Sequence, residues 1–505
     1  MQLSEGDPRG GVAMGQDVEP RTFTREDRAR FRAKLQRCMQ ACTQMIAESR
    51  FTTQNPTTGF EIELNLVNGA GDPALDNARV LAAIDDPAFQ TELAQYNIEV
   101  NMPPRRLADS ALKDFEDELR DKLNAADERS RSQGARIVMV GILPTVTAGH
   151  MSVATLSPNA RYKLLNDQII LARGEDIRIA IEGVEELAMT TDTVAPESAC
   201  TSTQLHLEVT QDSFPTYWNA AQAIAGPQVA VSANSPFLFG KELWRETRIK
   251  LFEQAIDTRS VELTEQGVRP RVWFGERWLN SVGELFDENI RYFSPLLPVC
   301  DEEDPLEVLE HGGTPSLAEL RLHNGTIYRW NRPVYDVAGG RPHLRIENRV
   351  LPAGPSVVDV LANAAFYYGL VRRLAELDRP IWSQMSFDAA TENFLRGARD
   401  GIGAELYWPG AGWIGSAELV LRKLLPLAHD GLESWGVDPT QRERLLGVIE
   451  QRCLSGQNGA QWQSEVFHRL YDRGGRSRFD ALREMVRRYI EYMATNAPVH
   501  TWPLD

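Results

Sequence analysis

Four short segments of this 505-residue chain carry carboxylates, arginines and one imidazole at alternate positions. They are Phe60-Glu61-Ile62-Glu63-Leu64-Asn65-Leu66, Asn97-Ile98-Glu99-Val100-Asn101-Met102, Gln204-Leu205-His206-Leu207-Glu208-Val209 and His343-Leu344-Arg345-Ile346-Glu347-Asn348-Arg349-Val350. An ordinary solvated strand face mixes Thr, Ser, Lys and both signs of charge. These faces contain no lysine and present Glu61, Glu63, Glu99, Gln204, His206, Glu208, Arg345, Glu347 and Arg349. Any one of these glutamates is explained by an outward-facing strand; the same acidic chemistry on four strands argues for one shared space. Two carboxylates about 4 Å apart repel by roughly 4 kcal/mol at an effective dielectric near 20. Such a gathering needs a divalent cation or arginine partners. Oxygen ligands with a single imidazole suit Mg²⁺ or Mn²⁺ better than a structural zinc.

Period-two alternation predicts strands with one face for a core and one for something polar. Asn348 is the one interruption in the fourth segment. Residues 177–181 are a plausible fifth strand and 135–143 a buried sixth. Helices are expected from Thr24, where Thr24-Arg-Glu-Asp27 resembles a capping box, and over 107–131, 214–233 and 241–256. After Pro355 the pattern is helical almost to the end, with Ser356 and Asp359 as a cap. An antiparallel sheet covered by helices is the α+β arrangement these elements favour. The expected divisions are a tail at 1–22, a catalytic unit at 23–380 and a helical C-terminal extension at 381–505. An Asn-Gly pair at 324–325 signals a hairpin leading into 325–333, a segment expected in the site wall.

The chain has 71 Asp+Glu against 54 Lys+Arg, a net charge of −17, which argues against general nucleic-acid binding. No apolar run is long enough for a membrane helix, and Met1 to Pro20 has no signal-peptide core. Five scattered cysteines fit a reduced, cytoplasmic protein. Phosphate-loop, dinucleotide, His-Glu-x-x-His and Gly-x-Ser-x-Gly signatures are missing. A nucleotide would then be held through cations and arginines.

At these residues the sequence resembles the bacterial and plant glutamate–cysteine ligase superfamily, which includes the carboxylate–amine ligases. Gly59-Phe-Glu-Ile-Glu-Leu-Asn-Leu-Val67 is similar to its opening Gly-x-Glu-x-Glu strand. Ser202 to Val209 resembles its His-bearing strand, Ala233-Asn-Ser-Pro236 with Arg245 and Arg248 its Ala-Asn-Ser-Pro segment, and His343 to Arg349 its late Glu-x-Arg strand. Asn458-Gly-Ala-Gln-Trp-Gln463 resembles a Gly-Ala-x-x-Gln element. The motifs fall in the family's order over roughly 55–470. Ile62 and the continuation Val350-Leu-Pro-Ala-Gly-Pro355 depart from the usual pattern and leave the acceptor open.

The resemblance implies a glutamine-synthetase-like sheet curved into a funnel, covered by helices. It also implies ATP-dependent phosphorylation of the glutamate γ-carboxylate, followed by attack of an amine, with ADP released. Cysteine is the leading acceptor. The alternatives are another amine, or a catalytically silent nucleotide-binding regulatory protein on the same fold. Glu61, Glu63, Glu99, His206 and Glu347 are the expected ligands of Mg²⁺ or Mn²⁺. Arg349, with Arg248 and Arg332, is expected at phosphoryl or substrate oxygens, and Arg349 and Glu208 at the nucleotide. Arginine suits this work because its planar fork meets such oxygens in pairs. The partners implied are small molecules: glutamate, the amine and ATP.

Overall fold

The computed structural model describes residues 22–51, 53 and 55–504. The expected tail at 1–22 lies, apart from its last residue, outside them. Seven strands form one curled sheet: β1 (Thr57–Val67), β2 (Phe89–Thr91), β3 (Asn97–Arg106), β4 (Arg136–Val138), β5 (Ser202–Val209), β6 (Asn331–Ala338) and β7 (Arg341–Pro352). Their order is β6-β7-β5-β1-β3-β2, with β4 taking the place of β5 beside the far end of β1. Every pairing in this sheet is antiparallel.

The register brings the alternating faces into line. Glu63 opposes Glu99, Glu61 opposes Gln204, His206 opposes Glu347, and Glu347 opposes Arg332. The odd residues of β1, β3 and β7 therefore share a face with the even residues of β5. Phe60, Ile62, Leu64, Leu205, Leu207, Leu344 and Ile346 fill the other face. The polar face is not solvated: Glu61 is 1% exposed and Glu347 0%. Both faces of the central strands are enclosed, which is why burial runs unbroken along β1.

The covering helices follow from local signals. α1 (Arg25–Ala47) starts at the Thr24 capping box and buries Phe31, Leu35, Cys38, Cys42 and Met45. α2 (Ala111–Ser132) buries Leu112, Phe115, Leu119 and Leu123. α3 (Ala160–Arg173) brings Arg161, Tyr162 and Leu165 to the rim of a cleft over the polar face. α4 (Phe214–Ser232) lies behind the sheet and is buried at every residue but the half-buried Thr216. After it come α5 (Thr247–Ala255), α6 (Val282–Tyr292) and α7 (Ala318–Asn324). α8 (Val357–Ala375) is capped by Ser356, and α9 (Pro439–Ser455), α10 (Gly459–His468) and α11 (Arg478–Ala494) complete the helical C-terminal region.

Four local expectations change. Residues 177–181 do form a strand, but it pairs with 186–191 in a separate ribbon. Within 135–143, only 136–138 is strand. The helix expected at 241–256 begins at Thr247, because Lys241–Glu242 pairs with Phe237–Leu238. Asn324-Gly325 ends α7 and makes no hairpin. A type I′ turn needs positive φ at both residues, whereas Asn324 is helical and Gly325 has φ −67°. Asn324 instead donates to the Pro333 carbonyl and accepts from Asn289.

The interruption at Asn348 also has a reason. Asn348 lies on the core side, where Gln228 of α4 donates to it (2.7 Å) and it donates to Asn331 (2.8 Å). Asn331 in turn donates to Gln222 (2.7 Å). A fully bonded amide chain thus ties the sheet to its central helix, avoiding the cost of an unsatisfied buried polar group.

The C-terminal helices are locked to this core through charge. Arg452 of α9 donates to Asp359 (2.8 Å), Asn363 and the Val231 carbonyl; Asp359 also accepts from Ser356 and the Val499 amide. Both charged groups are fully buried. Removing one charge strands the other, at a cost of about 3–5 kcal/mol. Asp359→Asn should therefore lower the urea midpoint by an amount corresponding to that loss, read by circular dichroism with an unchanged native spectrum.

Candidate active site

The centre of the polar face is a three-residue cluster. One ligand atom each from Glu61, His206 and Glu347 lie within 4.8 Å of one another. Three adjacent strands place them, so their spacing is set by backbone ladders, not by flexible loops. Glu61 Oε1 is buried and receives no hydrogen bond, with His206 Nε2 3.5 Å away. An unpartnered buried acceptor beside an imidazole and a second carboxylate is what a divalent cation would need. Oxygen donors with one imidazole match Mg²⁺ or Mn²⁺.

Glu347 is the electrostatic hub. Arg332 reaches it with Nε (3.1 Å) and Nη2 (2.7 Å), and Arg349 with Nη1 (2.5 Å). Burial would raise its pKa, but Arg332, Arg349 and His206 outweigh that and hold the carboxyl well below the usual carboxylate range. Arg349 also donates to Gln204. Arg345 donates to His206 Nδ1 (3.2 Å) and to Asp336 (3.1 Å).

A second set of carboxylates lines the cleft: Glu63, Glu92, Glu99 and Glu197. Glu63 accepts from the Ser202 amide (2.7 Å), the Ser202 hydroxyl and Gln204; Glu99 accepts from Asn101 (2.7 Å). None of the four is in a salt bridge among the described residues. Burial pushes the Glu63 carboxyl up, and burial with Glu61, Glu92 and Glu63 nearby raises Glu99 further. Glu92 and Glu197 keep some surface open to the cleft yet lie deep among protein atoms. Burial, with neighbouring carboxylates, pushes Glu92 up to about 8 and Glu197 to about 7.

The cleft has a cavity volume of about 240 Å³. Arg161, Arg321, Arg332, Arg345 and Arg349 line it together with these carboxylates and with Tyr162, Leu165, Phe286, Leu320 and Tyr328.

Of the sequence-derived candidates, the structure gathers Glu61, Glu63, Glu99, His206, Glu347, Arg332 and Arg349. Two stand apart. Arg248 is buried and turned away from the cleft, with Nε on Glu246 (2.9 Å) and both terminal nitrogens on the carbonyls of Arg349 and Val350. Glu208 shares the polar face but is taken up at its edge by Thr57 (amide 3.1 Å, hydroxyl 2.8 Å) and Arg341 (2.6 Å). Glu92, Glu197, Arg161 and Tyr162 escaped the sequence pattern because they sit on a loop, a 3₁₀ turn and a helix, where no alternation marks them.

A family model described as glutamate–cysteine ligase family 2 matches residues 57–480. A search of curated proteins finds no match. Among solved structures, the glutamate–cysteine ligase from Francisella tularensis, in complex with AMP, is similar with a TM-score of 0.51. The alignment covers 90% of this chain and 91% of that one at 11% identity, a likeness of fold. A bifunctional glutathione synthetase from Pasteurella multocida aligns over 90% of this chain and 55% of its own, with 13% identity and a TM-score of 0.45.

The raised carboxyls set a sign for pH dependence. A carboxyl with folded pKa above its unfolded value favours folding most below about 4.3, and the favour is lost as pH rises through the folded pKa. With Glu92 near 8 and Glu197 near 7, the metal-free protein should lose thermal stability between pH 6 and pH 8. Differential scanning fluorimetry of the chelated protein across this range checks it; a melting temperature that stays level or rises from pH 6 to pH 8 contradicts the assignment.

Proposed function

Because the chain belongs to glutamate–cysteine ligase family 2, we propose that it is an ATP- and Mg²⁺-dependent carboxylate–amine ligase. It activates the γ-carboxylate of glutamate as an acyl phosphate, with release of ADP, and couples it to an amine, cysteine being the first acceptor to test. The observation carrying this reading is the buried Glu61–His206–Glu347 cluster, whose Glu347 is bound by Arg332 and Arg349, two of the residues that line the cleft.

Glu61, His206 and Glu347 would hold the divalent cation, and Glu63 and Glu99 stand on the same face of the sheet. When bound, such a cation neutralises phosphate oxygens and orients the transferring group. The protein's own part is positioning. Arg349 and Arg332, fixed on Glu347, present guanidinium groups to phosphoryl or carboxylate oxygens in pairs. The acidic wall suits the other reactant. An amine arrives as an ammonium ion and must shed a proton before it attacks; a carboxylate with pKa near 7 to 8, as at Glu197 and Glu92, can attract the cation and take that proton. The aromatic and aliphatic residues in the cleft wall, Tyr162, Leu165, Phe286, Leu320 and Tyr328, would limit water, which competes for the acyl phosphate. Five free cysteines fit a reducing cytoplasm, and an acyl-phosphate route needs no thiol on the enzyme.

ADP formation from ATP and glutamate, measured with cysteine and with a panel of other amines, tests the proposal. Turnover with another amine but not cysteine would change the acceptor. Mg²⁺·ATP binding by calorimetry with no turnover for any amine would favour a silent nucleotide-binding protein. Chelation of divalent ions should abolish ATP binding, because an acidic cleft repels free polyphosphate. Glu347→Gln, which keeps shape but removes the charge, should leave folding near normal and reduce turnover 100-fold or more, about 3 kcal/mol of transition-state stabilisation. Retention of more than a tenth of the wild-type rate would remove Glu347 from the cation site.

A further inference from the structure

Two motifs far apart in the chain meet behind the sheet. Ala233-Asn234-Ser235-Pro236 follows α4, and Gly459 to Gln463 opens α10. Gln463 Nε2 donates to Asn234 Oδ1 (2.8 Å), and the Ala460 amide to the Ala233 carbonyl (2.8 Å). A Cβ on Gly459 would come within 2.0 Å of Asn234 Oδ1, so only glycine permits this approach. Asn234 passes the contact on. Its amide donates to Glu246 Oε2 (2.8 Å), and its side chain donates to the Ala353 carbonyl (2.8 Å). Glu246 Oε1 then accepts from Arg248 Nε (2.9 Å). Glu246, Asn234 and Gln463 are 0% exposed and Arg248 2%.

The chain of contacts ends on the strand that carries the candidate site. Opposite β5, β7 contains one extra residue: Asn348 pairs with Leu205 but Leu351 with Thr203, so three steps on one strand match two on the other. Such a bulge leaves backbone groups without ladder partners and redirects the side chains at its position. Arg248 supplies those partners, donating from Nη1 to the Arg349 carbonyl (3.3 Å) and from Nη2 to that of Val350. On the other edge the Arg349 amide donates to the Trp330 carbonyl (2.8 Å). The bulge so held is the one from which Arg349 reaches Glu347 and Gln204.

We propose that the buried relay Gln463–Asn234–Glu246–Arg248 is a positioning device that clamps the β7 bulge and thereby aims the Arg349 guanidinium into the cleft. Arg248 touches neither the cleft nor its carboxylates; it acts through Arg349. The nucleotide arm of the test below rests on the ligase reading, whereas the backbone arm does not.

The test uses the full chain and four variants: Arg248→Lys, Glu246→Gln, and each combined with Arg349→Lys. Amide exchange at 349–351 and the Mg²⁺·ATP dissociation constant are measured for each. Arg248→Lys keeps the charge but loses the fork that spans two carbonyls. It should speed exchange at 349–351 at least tenfold, leave 344–346 unchanged, and weaken Mg²⁺·ATP tenfold or more. In the Arg349→Lys background, its further effect on affinity should be under threefold, because the group it positions is gone. A full tenfold loss in that background would mean general weakening of the fold and would overturn the proposal, as would unchanged exchange at 349–351. Should Arg248→Lys not fold, Glu246→Gln carries the same readouts. A wild-type chain without Mg²⁺·ATP affinity would defeat the ligase reading, and exchange alone would then decide the relay.

Discussion

Carboxylates gathered on a buried face repel one another, and much of this structure answers that repulsion. A pair about 4 Å apart costs roughly 4 kcal/mol at an effective dielectric near 20, comparable to a large part of a domain's net stability. The answers differ from group to group. Glu347 receives two guanidinium groups and stays ionised. Glu63, Glu92, Glu99 and Glu197 are in no salt bridge among the described residues, and burial raises their pKa values although Arg349 acts on three of them. The cleft thereby offers guanidinium groups suited to phosphate beside carboxyls suited to cations.

Holding such a face requires strong packing elsewhere. The opposite face of each central strand is a closed aliphatic layer, backed by an α4 helix with no exposed residue. Fully burying an aliphatic or aromatic side chain contributes about 1.5–3 kcal/mol, so the layer of such residues behind the sheet offsets a few repulsive pairs. The Gln222–Asn331–Asn348–Gln228 amides on that side bond one another in a chain. The C-terminal helices add a buried ion pair at Arg452 and Asp359 and one end of the relay that reaches β7. Residues more than a hundred positions apart are in this way brought to bear on the backbone at Arg349.

Part of this was legible in the residue order. Strict alternation at Glu61, Glu63, Glu99, His206 and Glu347 assigns side chains to one face or the other, because period two is a property of any extended chain. The capping residues Thr24 and Ser356 mark helix starts for an equally local reason, the satisfaction of the first free amides. The Asn-Gly pair at 324–325 misled because a turn preference is weak against tertiary bonding of the Asn324 side chain. Glu92 and Glu197 could not be picked out, since irregular segments carry no period to read.

What the sequence determined by itself is the chemistry available and the face on which each strand residue stands. Which strands become neighbours, and in what register, was decided only in three dimensions, because a ladder is chosen by backbone hydrogen bonds and by the total fit of both faces. The same holds for Arg248. Its resemblance to the family's arginine after Ala-Asn-Ser-Pro suggested a hand on substrate oxygens, but the β7 bulge offers two carbonyls beside it, and its guanidinium is spent on them and on Glu246. A guanidinium goes where unsatisfied acceptors are, and acceptors created by a bulge exist only once the sheet has formed.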